Sequence, residues 1–185
     1  MKQFAALCLP LVATACLATP PPHETPRELL AVSDTLEELY RAFSFEAGGD
    51  ADWEAMRSLF LPGAAFVLPY EGEPEPRIVD LETFMAEFRA WIATSPDADD
   101  GFVERIVAHR VDHFGRIAHA WVLFEAEVPA RAEPNERGID SIQLVSSPAG
   151  WRIVSFTTHY ESESTRLPAD FLVRHAAPRA DPAGR

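Results

Sequence analysis

The sequence predicts an α+β domain. Two observations carry this. Apolar residues recur at helical spacing, with one short strand signal between, up to Pro96, and at a period of two beyond it. Turn signals then divide the second half into four long alternating segments, the pattern of an antiparallel meander. Helices first and strands after imply a strongly curved antiparallel sheet of four long strands wrapping an N-terminal helix. Such a sheet leaves a cone open at one end, and an open mouth of this kind is a common ligand site.

The first helix starts at a Thr-x-x-Glu capping box, Thr25 to Glu28, with Pro26 in the first turn. Leu29, Val32, Leu36, Leu39, Tyr40 and Phe43 follow at helical spacing, and Gly48-Gly49 is the stop signal. Asp50 or Asp52 caps a short second helix carrying Trp53, Met56, Leu59 and Phe60, which Pro62-Gly63 ends. Residues 64–70 (AAFVLPY) read as a short strand, and 77–80 (RIVD) as a further candidate. Asp80 caps a third helix with Leu81, Phe84, Met85, Phe88, Trp91 and Ile92 on its apolar side, closed by Pro96. The four long strands run from about 102 to 112, 116 to 128, 137 to 147 and 151 to 161. Phe114-Gly115, residues 129–135 and residues 147–150 mark the turns.

The amino terminus reads as a targeting segment. Residues 1–15 have one Lys, an apolar run and small residues before Cys16, the pattern of a signal peptide. Ala13-Thr14-Ala15-Cys16 resembles a bacterial lipobox, with Ala13 where Leu or Val is usual. Cys8 leaves with the signal, so Cys16 has no intrachain disulfide partner, which suits lipidation better than a disulfide fold. The alternative is plain cleavage after Ala15 with a leftover thiol. Residues 16–25 then form the lipidated Cys and a Pro-rich tether, 26–163 the domain, and 164–185 a tail that docks in part and then becomes disordered. No later stretch reaches the ~18 apolar residues of a spanning helix, so the expected membrane contact is the lipid anchor alone. This places the protein in the bacterial cell envelope, on the periplasmic side.

With 16 Lys plus Arg against 29 Asp plus Glu, the chain has a formal charge of −13 and no basic stripe. Nucleic acid is therefore excluded as the expected partner. No Gly-rich phosphate loop, Gly-x-Ser-x-Gly elbow or Cys–His pair is present, and no cofactor is expected. His109 and His113 share a strand face but stand about 13 Å apart, too far for one metal ion. No short ligand spacing marks a metal site elsewhere.

Three segments resemble the nuclear transport factor 2-like superfamily, the cone-shaped, cystatin-like fold of ketosteroid isomerase, scytalone dehydratase and SnoaL-type cyclases. They are LYRAFSFEAGGDADWEAMRSLFLPGAAFV (39–67), GRIAHAWVLFEAE (115–127) and RGIDSIQLVSSPAGWRIVSFTTHYE (137–161). The resemblance covers about Arg27 to Glu163, and its bacterial subgroup is an uncharacterised one. In ketosteroid isomerase an Asp is the general base, and a Tyr with a protonated Asp forms the oxyanion hole. Segment matching puts the Tyr at Tyr40, the protonated Asp at Asp140 and the base at Leu68. A leucine cannot accept a proton, so the resemblance implies a site that binds without the isomerase chemistry. Tyr40 as a satisfied core residue, and Asp140 as a structural ion pair, are the plain alternatives.

Strand alternation extends the candidate pocket. If Asp140 faces inward, Ile142 does too. On the last strand the resemblance puts Phe156 and Tyr160 inward and His159 outward. Counting across the Pro148-Ala149 hairpin gives the opposite phase, and a one-residue bulge reconciles the two. His119 and Trp121 share a face that either lines the cavity or forms the outer surface used by dimers of this superfamily. The pocket candidates are thus Tyr40, Leu68, Trp121, Asp140, Ile142, Phe156 and Tyr160, with His119 and His159 as acid–base candidates.

Three functions fit. The first is a cone holding a small apolar molecule that carries a polar group. The second is a cofactor-free dehydratase, isomerase or cyclase using a pocket His with Tyr40 and Asp140. The third is an envelope interaction module using the sheet face, through which a homodimer is also expected. The missing base leans against an enzyme. Cys16→Ala is expected to release the protein from the membrane fraction and remove the acyl mass, read by fractionation and mass spectrometry. A wild type that is already free of membranes, with an unmodified Cys16 thiol, would rule out the anchor.

Overall fold

The computed structural model describes residues 26–69, 73–129 and 135–167. The expected signal peptide, anchor and tether, and the tail beyond Leu167, lie outside these. Within them the chain forms α1 (Pro26–Phe43), β1 (Phe45–Glu46), α2 (Trp53–Leu59), β2 (Phe60–Leu68), β3 (Arg77–Asp80) and α3 (Leu81–Thr94). A short 3-10 turn and the long strands β4 (Gly101–Phe114), β5 (Ile117–Glu127), β6 (Glu136–Ser147) and β7 (Gly150–Tyr160) follow.

The three expected helices form, and the expected cap of the first, Thr25, lies outside the described residues. The stripe Val32, Leu36, Leu39, Tyr40 and Phe43 of α1 is buried. Asp52, rather than Asp50, caps α2, accepting from the Ala55 N–H at 2.9 Å, while Asp50 takes the Trp53 indole N–H at 2.7 Å. Asp80 caps α3 by accepting from the Thr83 N–H at 2.8 Å. Helix α1 ends at Phe43, before the Gly48-Gly49 stop, because Phe45 and Glu46 pair with Phe102 and Gly101 instead. Gly101 permits that approach: a Cβ there would meet the Phe45 carbonyl at 2.8 Å, and its φ is +97°. Helix α2 likewise stops short of Phe60, which opens β2 by pairing with Ile153.

The sheet has seven strands, in the order β1-β4-β5-β6-β7-β2-β3, rather than four. It is curved and not closed into a barrel, with β1 and β3 at its edges. Nor is it antiparallel throughout, since β2 runs parallel to β7. β3 falls on the expected candidate at 77–80 and β2 overlaps the short strand expected at 64–70, while β1 escaped the sequence pattern because two residues carry too little alternation to register. The four long strands form close to their expected bounds.

Aromatic rings fill the space between sheet and helices. Phe66 stacks on Phe84 at 4.0 Å between centroids and sits 5.1 Å from Phe60 and 5.3 Å from Phe156. Phe43 meets Phe84, Phe88 and Phe156 edge-on at 6.0–6.1 Å. Phe66 is fully buried, so truncating it removes transfer energy and leaves a cavity walled by rings that cannot collapse. Phe66→Ala is expected to lose about 3–5 kcal/mol of unfolding free energy in a urea titration. Phe114→Ala, at an exposed position, should lose under about 0.5 kcal/mol.

Candidate functional site

Strand β6 buries Gly138, Asp140, Ile142 and Leu144 on one face and turns Ile139 and Ser141 to the other. Asp140 therefore points under the sheet, between its cross-strand neighbours Val122 on β5 and Thr158 on β7. Tyr40 reaches it from the last turn of α1, and the Tyr40 hydroxyl donates to Asp140 Oδ2. Both side chains are essentially inaccessible. Asp140 Oδ1 has no hydrogen-bond partner. The Thr158 side chain lies close enough to favour the ionised carboxylate, yet its hydroxyl does not close a bond on Oδ1.

A second carboxylate stands nearby. Glu104 on β4 faces the same interior, and Ser44 sets its position. The Glu104 N–H donates to Ser44 Oγ at 2.9 Å, and that hydroxyl donates to the Tyr40 carbonyl at 2.8 Å and to the Glu104 carbonyl at 3.2 Å. One serine thus ties the end of α1 to β4 and holds Tyr40 and Glu104 in mutual register.

These groups adjoin a cavity of about 310 Å³. Phe43, Leu68, Phe84, Phe88, Phe102 and Phe156 form its apolar wall. Glu87, Glu104, Thr158 and Tyr160 form its polar part. A neighbouring cavity of about 200 Å³ shares Leu68, Thr158 and Tyr160. Burial pushes the Asp140 carboxyl up to about 7, against the opposing pull of the Tyr40 hydrogen bond and of the nearby Thr158 side chain. Burial, and then the charge of Asp140, raises Glu104 well above the usual carboxylate range. Tyr40 is also pushed up, by burial first and then by the charges of Asp140 and Glu104, so its phenol keeps its proton.

The expected site residues separate into groups. Tyr40 and Asp140 meet as expected, but they are sealed in the core and neither lines the cavity; Leu68, Phe156 and Tyr160 do, with Tyr160 at its rim against the edge of Phe124. Ile142 faces inward but is fully buried in the core and does not line the cavity. Trp121 does not belong to the pocket. Ala120 and Val122 take the inner positions of β5, paired with Ile142 and Asp140, so His119 and Trp121 fall on the outer face. There the His119 ring nitrogen Nε2 pairs with Ser141 Oγ at 2.9 Å, and burial lowers its pKa. His159 is also outward, opposite Ile139. Neither histidine lines the 310 Å³ cavity, although His159 lines the neighbouring one of about 200 Å³. Trp121 and His159 instead share an outer groove of about 460 Å³ with Ile139 and Leu167.

The phase of β7 rests on a bulge. Leu144 pairs with Ile153 and Gln143 with Ser155, which leaves Val154 as the extra residue. Trp151 and Ile153 before it, and Phe156, Thr158 and Tyr160 after it, thereby share one side of the sheet. Glu104 was missed by the sequence reading. Its signal was there, since Phe102 two residues earlier belongs to the same strand face, but nothing local told that face from the other. Among the described residues no cluster of three or more His, Cys, Asp or Glu side chains is arranged to hold a metal ion.

No family model matches the chain, and no curated protein matches it. Solved structures do. A nuclear transport factor 2-like protein of unknown function from Silicibacter pomeroyi is 22% identical, with a TM-score of 0.51, over 73% of this chain and 97% of that one. A Nostoc punctiforme protein of unknown function with a cystatin-like fold is 12% identical, with a TM-score of 0.57, over 75% and 95%. A Shewanella frigidimarina protein, provisionally named a ketosteroid isomerase, is 15% identical, with a TM-score of 0.51, over 70% and 94%. At these identities the likeness concerns the fold.

The buried carboxyls set a pH dependence of stability. Asp140 holds its proton up to about pH 7 when folded and releases it at lower pH when unfolded. The native state therefore binds more protons between the two values, and stability falls as pH rises from about 4 to 7 before levelling off. Glu104 adds to the same slope. Asp140→Asn is expected to flatten the profile in urea titrations between these pH values, and Asp140→Asn with Glu104→Gln to flatten it further. An unchanged slope would place the carboxyls in water.

Proposed function

We propose that this chain, which has the nuclear transport factor 2-like fold, holds a small, largely apolar molecule in the cavity beneath its sheet. The observation that carries this is the cavity itself: about 310 Å³ walled by aromatic and aliphatic side chains, with Glu87, Glu104, Thr158 and Tyr160 as its polar groups and Thr158 paired across the strands with the buried Asp140. The polar end orients the ligand and the rings supply the burial. Holding without turnover is the main reading, because Leu68 occupies the position that the resemblance gives to the isomerase base and neither candidate histidine lines the 310 Å³ cavity. Location at the cell envelope, through a lipid on Cys16, is part of the proposal and rests on the sequence of residues 1–25.

Glu104 favours a second reading. It is a carboxylate on another wall of the same cavity, and its raised proton affinity suits a group that accepts a proton from a bound substrate. Solvent deuterium entering an enolisable ketone in the presence of the protein distinguishes turnover from holding.

Native mass spectrometry of the gently purified full chain is expected to show a retained small molecule. Leu68→Trp, which pushes an indole into the cavity, should abolish that adduct and weaken binding of 2-phenylethanol by more than about tenfold, with the far-ultraviolet circular dichroism unchanged. If the wild type carries no adduct and binds no small aromatic compound, the cavity is only a packing defect.

A further inference from the structure

The polar part of the cavity wall has one sign. Glu87 and Glu104 line it, and among the described residues no Lys, Arg or His side chain does. Glu87 already has a counter-charge, with Arg77 at 2.5 Å. Glu104 is different. Its backbone N–H and carbonyl are taken by Ser44, but among the described residues no cation pairs with its carboxylate. Asp140 lies behind Thr158 at the same end, nine-tenths buried or more, with Oδ1 unpartnered. Burial first, and then the charge of Asp140, makes a negative charge on Glu104 hard to accommodate.

Glu104 is only partly buried, but a carboxylate on an apolar cavity wall without a counter-charge is unfavourable, and a bound cation would relieve it. The rest of the wall suits that cation. Phe43, Phe88, Phe102 and Phe156 offer rings in mixed orientations, with Phe88 and Phe102 edge-to-face at 5.8 Å. The faces of such rings are negative and draw ammonium groups. A neutral carbonyl ligand would leave the Glu104 carboxylate unmatched. An anionic ligand would face both carboxyls.

We propose that the cavity takes a small hydrophobic amine, its ammonium group against Glu104 on the side of Asp140 and its apolar body among Phe88, Phe102 and Phe156. This rests on the pocket reading above and narrows it to a ligand class.

Calorimetric titration of the full chain at about pH 8 with three probes of one shape tests it: 2-phenylethylamine as cation, 2-phenylethanol as neutral form and phenylacetate as anion. The amine is expected to bind about tenfold or more tightly than the alcohol, and phenylacetate least tightly. Glu104→Gln should shrink the amine-to-alcohol ratio to within about threefold. That ratio is taken within each protein, so a general loss of folded material does not imitate it. Equal binding of amine and alcohol by the wild type, or tighter binding of phenylacetate, overturns the amine preference and leaves the pocket standing. Failure of all three to bind overturns the pocket and the preference together.

Discussion

The hydrogen bond from the Tyr40 hydroxyl to Asp140 joins the two halves of the fold. A carboxyl on the concave side of β6 is tolerable only if something polar meets it there. The partner comes from a helix a hundred residues earlier in the chain. That requirement fixes how α1 crosses the sheet: its last turn must stand opposite the middle of β6. Ser44 then carries the constraint sideways by binding the Tyr40 carbonyl and the backbone of Glu104. Three chain segments meet at one polar point, and an apolar cavity opens beside it.

The cavity survives because its walls are stiff. Aromatic rings stack or meet edge-on from α1, α3, β2, β4 and β7, and planar side chains held in such contacts cannot flow into a void as aliphatic ones do. Gly138 adds to this on the far side. A Cβ there would meet the Phe124 ring at 2.5 Å, so the glycine lets Phe124 lie over β6, where its edge supports Tyr160 at the cavity rim. Charge has the opposite effect from packing. Two carboxyls held near each other oppose folding as they ionise, and the structure retains them although an apolar pair would pack more easily.

Much of this was legible in the residues alone. The helical stripe from Val32 to Phe43, the caps at Asp52 and Asp80 and the four long alternating strands all follow from local periodicity and capping chemistry, which need no partner to be recognised. Asp140 and Tyr40 were also legible, but through resemblance to a known fold, since nothing local links residues so far apart. Tertiary structure decided the rest. Period two sorts side chains into two faces without saying which is inside, so Trp121 and His119 went outward only once Val122 paired with Asp140. The phase of β7 turned on one bulged residue, Val154, whose extra length balances register across a hairpin and has no sequence signal of its own. The parallel pairing of β2 with β7 and the arrival of Glu104 beside Asp140 depend on long-range closure of the sheet over α1. Local sequence determines elements because their energies are local. Which carboxylates share a cavity is set by how those elements pack, and only the folded chain shows it.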